Sequence, residues 1–145
     1  GRHVESGMRI RRLGLEVIPT GYLLMGDGAL TTASYISHSL PIPASKPGIV
    51  AATAVAGEML GLHAMYLDAG SGAGHPVPLS AIEQVREHTS APIIVGGGLS
   101  DAASIRAAWA AGAVVAVVGT AIERKPEDLA WLPDPVSASS NPIRR

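Results

Sequence analysis

Four short apolar segments, separated by stretches with helical patterns, constrain the fold of this chain more than any other feature. They are GYLLM (21–25), AMYL (64–67), PIIV (92–95) and VVAVV (114–118). None shows the strict apolar–polar alternation of a strand that has one solvent-exposed face. Such continuous runs are typical of parallel strands that are covered on both faces. The sequence therefore predicts an α/β protein with a parallel sheet.

The segments between these strands carry signals for the start of a helix. Pro47 suits the first turn of a helix because its missing N–H is not needed there. Ser80 and Glu83 have the spacing of a capping box ahead of an apolar stretch. Ser100 or Asp101 can cap the helix that follows the third strand. Strands and helices are thus predicted to alternate along the chain.

Both ends of the chain have distinct patterns. The stretch HVESGMRIRRL near the start is predicted to be a helix, and a short helix is predicted to begin near Pro126. Residues 133–145 are rich in Pro and Ser without periodicity, which predicts a disordered or non-native tail. The interpretation is one domain over residues 1–132, followed by that tail.

Composition excludes several classes of function. With a net charge of −1 and a pI near 6.6, the chain lacks the excess of positive charge that is typical of nucleic-acid-binding proteins. The chain has no cysteine, which excludes a disulfide framework or a thiolate metal site and suits the reducing cytoplasm. Its longest apolar run, AAGAVVAVVG, is half of the roughly 20 residues that span a bilayer.

Glycine-rich loops directly follow three of the predicted strands, at Asp68–Gly72, Gly96–Gly98 and Gly119–Thr120. In parallel α/β folds the carboxyl ends of the strands form the ligand face. Backbone N–H groups of glycine loops approach anions closely there. Any one of these loops can be a plain turn, but three on one face favour a phosphate site, with Asp68 beside it for a hydroxyl group.

The segments YLDAGSGA, PIIVGGGLSD and AGAVVAVVGTAIE, in this order and spacing, resemble the geranylgeranylglyceryl phosphate synthase family. LGLEVIPTGYLLM resembles the fifth strand of that family and its lead-in. The resemblance implies a (β/α)8 TIM barrel, of which this chain covers about the last four βα units. It also implies a prenyltransferase that joins sn-glycerol 1-phosphate to geranylgeranyl diphosphate, an early step in making archaeal-type ether phospholipids.

The resemblance also implies roles for individual residues. Tyr66 and Asp68 would be catalytic, with Asp68 standing where the family usually has a glutamate. The glycerol phosphate would be bound by Tyr66, Leu67, Asp68, Ala69, Gly70, Ser71 and Gly72, and its phosphate group by Gly96, Gly97, Gly98, Gly119 and Thr120. Mg²⁺ would neutralise the departing diphosphate, and its ligands are expected in the N-terminal half of the barrel rather than in this chain.

Because a barrel needs about 250 residues, we expect this chain to be a fragment or to pair with an N-terminal half. As a fragment alone it is expected to be inactive, and its expected partner is a second copy in a homo-oligomer or an N-terminal half. The lipidic substrate implies transient membrane contact by a cytoplasmic enzyme.

Two alternatives stay open from the sequence. One is another phosphate-binding TIM barrel, such as a sugar-phosphate isomerase or an FMN enzyme, which shares the triple glycine but not YLDAGSGA. The other is an inactive half-barrel.

Overall fold

The computed structural model describes residues 2–26, 39–124 and 126–134. Helices and strands alternate along them, as predicted, except that an unpredicted two-residue strand follows the first strand. The helices are α1 (Arg2–Arg12), α2 (Pro47–Met59), α3 (Leu79–His88), α4 (Ala102–Ala111) and α5 (Thr120–Arg124). The strands are β1 (Thr20–Gly26), β2 (Ile42–Pro43), β3 (Ala64–Asp68), β4 (Ile93–Gly96) and β5 (Val115–Val117).

The five strands form one parallel sheet in the order β2-β1-β3-β4-β5. The four predicted strands therefore lie side by side in chain order, the arrangement that successive βα units give in a barrel. Strand β2 was not predicted, because its two residues give no pattern. It pairs with the end of β1, where Met25 faces Ile42.

One face of the sheet packs against helices α2, α3 and α4 and forms the core. Side chains at every second strand position, such as Met25, Leu67 and Val95, are almost fully buried there. They meet Val50 of α2 and Ile82 of α3 in one apolar cluster. Each fully buried side chain of this size contributes about 1.5–3 kcal/mol to folding.

The opposite face, called the inner face below, carries the alternate strand positions. One row of this face runs across the sheet through Tyr22, Tyr66, Ile94 and Val115, and Val117 ends the next row. Tyr22, Val115 and Val117 are 47, 46 and 42% exposed. The prediction that all strands are covered on both faces is therefore wrong here, because the helices that cover β3 and β4 pack against the other face.

Two predicted helix starts are corrected by the structure. Helix α3 begins one residue earlier than Ser80, after Pro78, and no side chain caps it. The final helix begins at Thr120 rather than near Pro126, because the amides of Ile122 and Glu123 already donate to the Gly119 carbonyl. The predicted tail lies outside the described residues from position 135 onward.

Other helix predictions are confirmed. Asp101 caps α4, with its Oδ1 accepting from the Ser104 amide at 2.7 Å. Pro47 occupies the first turn of α2. None of the helices in the described part of the chain has the length and apolar character that crossing a bilayer requires.

A carboxylate at the end of α2 ties that helix to the turn before β4. Glu58 Oε1 accepts hydrogen bonds from the Ser90 amide (2.9 Å), the Ser90 hydroxyl (2.6 Å) and the Ala91 amide (3.0 Å). The Ser90 hydroxyl is the main reason that the pKa of Glu58 lies below its ordinary value of 4.5.

We expect Glu58→Ala to lower the melting temperature by about 2–4 °C at pH 7, since it removes three hydrogen bonds, two of them exposed, worth about 1 kcal/mol together. A lowered pKa stabilises the folded state above pH 4.5, and this contribution is lost as the pH falls through the folded-state pKa. The difference from wild type should therefore shrink on acidification. Glu83→Ala, on the exposed surface of α3, is the control, and an equal loss in both variants would contradict the role of Glu58.

Candidate functional site

The carboxyl end of β3 holds the one carboxylate on the described inner face, Asp68. Only 9% of Asp68 is exposed. Its Oδ2 accepts a short hydrogen bond from the Tyr22 hydroxyl of β1, and its Oδ1 accepts one from the Gly70 amide at 2.9 Å. The carboxylate is therefore fixed by two donors, one on the neighbouring strand and one in the loop that follows.

Tyr66 completes a cluster with Tyr22 and Asp68. The two tyrosine rings meet edge to face, with centroids 5.4 Å apart and planes at 78°. Burial, followed by the hydrogen bond to Asp68, raises the pKa of Tyr22. Burial and the charge of Asp68 raise the pKa of Tyr66. Both phenols therefore stay protonated near neutral pH and can act as hydrogen-bond donors.

Gly96, opposite Asp68 on β4, makes room for Tyr66. A Cβ built on Gly96 would overlap the Tyr66 hydroxyl and come within 2.9 Å of its Cε2. The Ala69 amide also donates to the Gly96 carbonyl at 2.9 Å. The residue predicted to bind phosphate thus has a steric role as well, since it lets the tyrosine lie across the strand.

Gly97 brings the loops after β3 and β4 into direct contact. Its φ of +80° is rare for residues with a side chain. A Cβ there would lie 2.6 Å from the Gly70 carbonyl oxygen and 2.9 Å from Asp68 Oδ1. Gly98, with φ of +70°, packs against the backbone of His75. The triple glycine therefore allows a close fit that side chains would break.

The structure brings together only part of the predicted site. Leu67 is buried in the core on the other face of the sheet, so only its backbone can reach a ligand. Ser71 and Gly72 are exposed at the rim. The pairing of Gly96 with Val117 places the Gly119–Thr120 loop at the same edge as the triple glycine.

Sequence reasoning missed Tyr22. In the sequence it is one residue of an apolar run, without a polar neighbour that would indicate a site. Its position follows from the register of β1 and β3, which pairs Tyr22 with Tyr66. Aligning the predicted strands by their first or last residues would pair Tyr22 with Met65 or Ala64, so the predicted strand bounds carry no signal for this contact.

A separate cavity of about 220 Å³ lies on the outer side of the triple glycine, towards α3 and α4. It is almost wholly apolar, and none of its lining residues is charged. They are Pro76, Val77, Pro78, Leu79, Ile82, Val95, Gly96, Gly97, Leu99, Ser104, Ala107 and Ala108. The hydrogen-bonding groups of Tyr22 and Asp68 do not line it, so it is not the site of the polar chemistry.

The described residues do not fit a magnesium site. No three His, Asp or Glu side chains among them lie close enough together to hold a metal ion. Asp68 already accepts bonds with both oxygens. Hard divalent cations need about six oxygen ligands, which one such carboxylate does not supply.

Comparison with known proteins places this arrangement in a family. The model of the PcrB family matches residues 1–131. Geranylgeranylglyceryl phosphate synthase of Spirosoma linguale is 48% identical over 91% of this chain and 53% of its own length. The same enzyme of Chitinophaga pinensis is 48% identical over 97% of this chain and 56% of its own. The chain thus spans about half the length of the curated relatives that it matches.

A solved structure is likewise similar to most of this chain over about half of its own length. The crystal structure of (S)-3-O-geranylgeranylglyceryl phosphate synthase from Thermoplasma acidophilum, in complex with its substrate sn-glycerol-1-phosphate, superposes with a TM-score of 0.83 at 27% identity. The match covers 93% of this chain and 54% of that one. The predicted fold is confirmed as about half of a TIM barrel, and the chain belongs to the PcrB family.

Proposed function

We propose that this chain forms the glycerol phosphate-binding half of a prenyltransferase, which joins sn-glycerol 1-phosphate to geranylgeranyl diphosphate. The observation that carries the proposal is the fixed carboxylate of Asp68, in contact with the triple-glycine loop. The Thermoplasma acidophilum relative holds sn-glycerol-1-phosphate, and two relatives that are 48% identical to this chain bear the name of this synthase.

Substrate binding would use the backbone of the loops after β3, β4 and β5. The N–H groups of Gly96–Gly98 and Gly119–Thr120 would surround the phosphate, as glycine loops do at the carboxyl ends of parallel strands, while the Gly70 N–H holds Asp68. With the phosphate held there, a glycerol hydroxyl would reach Asp68. Holding the glycerol phosphate in this way removes part of the entropic barrier to its reaction with the prenyl diphosphate.

In the transfer step, the primary hydroxyl oxygen of glycerol phosphate attacks the allylic carbon of the prenyl chain. The bond between that carbon and the diphosphate oxygen breaks, and the diphosphate leaves with the bonding electrons. The hydroxyl proton passes to the carboxylate of Asp68, which acts as general base. Tyr66 stays protonated and can donate a hydrogen bond to the bound glycerol.

Magnesium is proposed as a cofactor of the complete barrel. It would neutralise the charge on the departing diphosphate. Because the described residues do not fit a metal site, its ligands are proposed to lie on the other half of the barrel.

The inner face supports the proposal that this half pairs with a complementary one. Tyr22, Val115 and Val117 are nearly half exposed, and in a closed barrel residues of this face fill the interior. The second half can come from the same polypeptide or from another. Homo-oligomerisation, cytoplasmic localisation and transient membrane contact through the prenyl tail are further parts of this proposal.

The proposal is tested by a transfer assay. The chain is incubated alone, and with a polypeptide matching the other half of the relatives, together with labelled sn-glycerol 1-phosphate, geranylgeranyl diphosphate and magnesium. We expect label in the organic phase only when both halves are present. The sn-glycerol 3-phosphate control should give none. No transfer by a folded pair, or equal transfer from both glycerol phosphates, would contradict the proposal.

A further inference from the structure

Tyr22 has no part in the proposed transfer step, yet it donates a hydrogen bond to the proposed base. Its hydroxyl donates to Asp68 Oδ2 from a strand that is 46 residues away in sequence. The other oxygen is held by Gly70, which is only two residues from Asp68 in the same loop. Tyr22 is therefore the only donor to this carboxylate that a different described element supplies.

The bond from Tyr22 to Asp68 is part-buried and joins two neighbouring strands of the sheet. The Tyr22 ring is held in place by the edge-to-face contact with Tyr66. The geometry thus directs the Tyr22 phenol onto the carboxylate of Asp68.

The two bonds restrict how Asp68 can rotate. With Gly70 as the only donor, the side chain could swing about that bond and change the direction of its free lone pairs. With Oδ1 and Oδ2 both held, the plane of the carboxylate is fixed. Two of its roughly four acceptor positions then stay open for substrate hydroxyls.

We propose that Tyr22 is a positioning residue, which orients the carboxylate of Asp68 towards the hydroxyl groups of a phosphate-bearing polyol at the glycine loops. This inference rests on the proposed function, because it names the same site. It adds that recognition of the polyol hydroxyls, but not of the phosphate, depends on the β1 strand.

The test compares two ligands on the full chain, alone and paired with the other half of the barrel. Tyr22→Phe keeps the ring and removes the hydroxyl. By calorimetry we expect it to weaken sn-glycerol 1-phosphate binding about 3–10-fold, the worth of one hydrogen bond. Inorganic phosphate should bind within about twofold of wild type. In the transfer assay kcat should fall, while KM for the prenyl diphosphate stays the same.

Thr20→Val is the matched control. It removes a hydroxyl from the same strand and the same face, where the bond goes only to the Ile18 carbonyl. We expect both ligands to bind this variant as they bind wild type. Equal weakening of both ligands by Tyr22→Phe, or no weakening of either, would overturn the inference.

A third measurement does not depend on any ligand. Titration of the Tyr22 ring signals by NMR, assigned by their loss in Tyr22→Phe, should show a lower pKa for Tyr22 in Asp68→Asn, because its bond to a charged acceptor and that charge add to the effect of burial in raising it. No change in the Tyr22 pKa would show that the two groups are not coupled.

The outcomes separate this inference from the proposed function. If wild type transfers the prenyl group and Tyr22→Phe behaves as wild type, the role of Tyr22 is wrong while the proposed function stands. If wild type never transfers the prenyl group, but Tyr22→Phe weakens the binding of sn-glycerol 1-phosphate and not that of inorganic phosphate, the proposed function is wrong while the role of Tyr22 stands.

Discussion

Replacing Asp68 with asparagine is expected to slow prenyl transfer by about 10²–10⁴-fold in the paired barrel, the usual contribution of a positioned general base. The amide oxygen of asparagine can still accept the bond from Gly70, so the loop should keep its shape. The amide has no basic lone pair that can take the hydroxyl proton. The loss should therefore lie in kcat, with inorganic phosphate affinity nearly unchanged.

Single-turnover rates with saturating substrates measure this effect directly. Glu83→Gln on the exposed surface of α3 removes one carboxylate from the same half-barrel and serves as the control. Its rate should match that of wild type. If Asp68→Asn transfers as fast as Glu83→Gln, another group accepts the proton and Asp68 only binds the glycerol.

The fold was predictable because its strands are short and continuously apolar. All four predicted strands are present, and their chain order equals their order in the sheet. The coverage of the sheet was not predictable from these runs, because Val115 and Val117 read as core residues although they lie half exposed on the inner face. A local pattern reports that a residue is apolar, whereas its burial depends on elements that are distant in sequence.

The site was predictable where it is local in sequence. The acid, the tyrosine two residues before it and the glycines after it lie in one segment, and the structure brings Asp68 and Tyr66 together with the triple glycine. Tyr22 was not predicted as a site residue, because its contact with Asp68 depends on the register between two strands. The roles given to Ser71, Gly72, Gly119 and Thr120 stay predictions, since a bound phosphate is needed to test them.

Gly97→Ala is expected to damage both the fold and the phosphate site. A side chain at φ of +80° is strained by about 1–2 kcal/mol. The added Cβ would also meet the Gly70 carbonyl oxygen at 2.6 Å and the Gly70 amide nitrogen at 2.7 Å. These are backbone atoms that cannot rotate away, so the two loops must separate. Overpacking of this kind adds about 1–3 kcal/mol.

Urea denaturation should therefore show a loss of about 2–5 kcal/mol in the free energy of unfolding, the sum of strain and overlap. Inorganic phosphate affinity, measured by calorimetry in the fraction that stays folded, should fall about tenfold or more, since both loops shift. Gly74→Ala adds the same methyl group in the loop after β3, where nothing lies within 4 Å and φ is not positive. That control should stay within about 0.5 kcal/mol of wild type. If the two variants are equally stable and bind phosphate equally well, the contact between Gly97 and Gly70 does not hold the loops together.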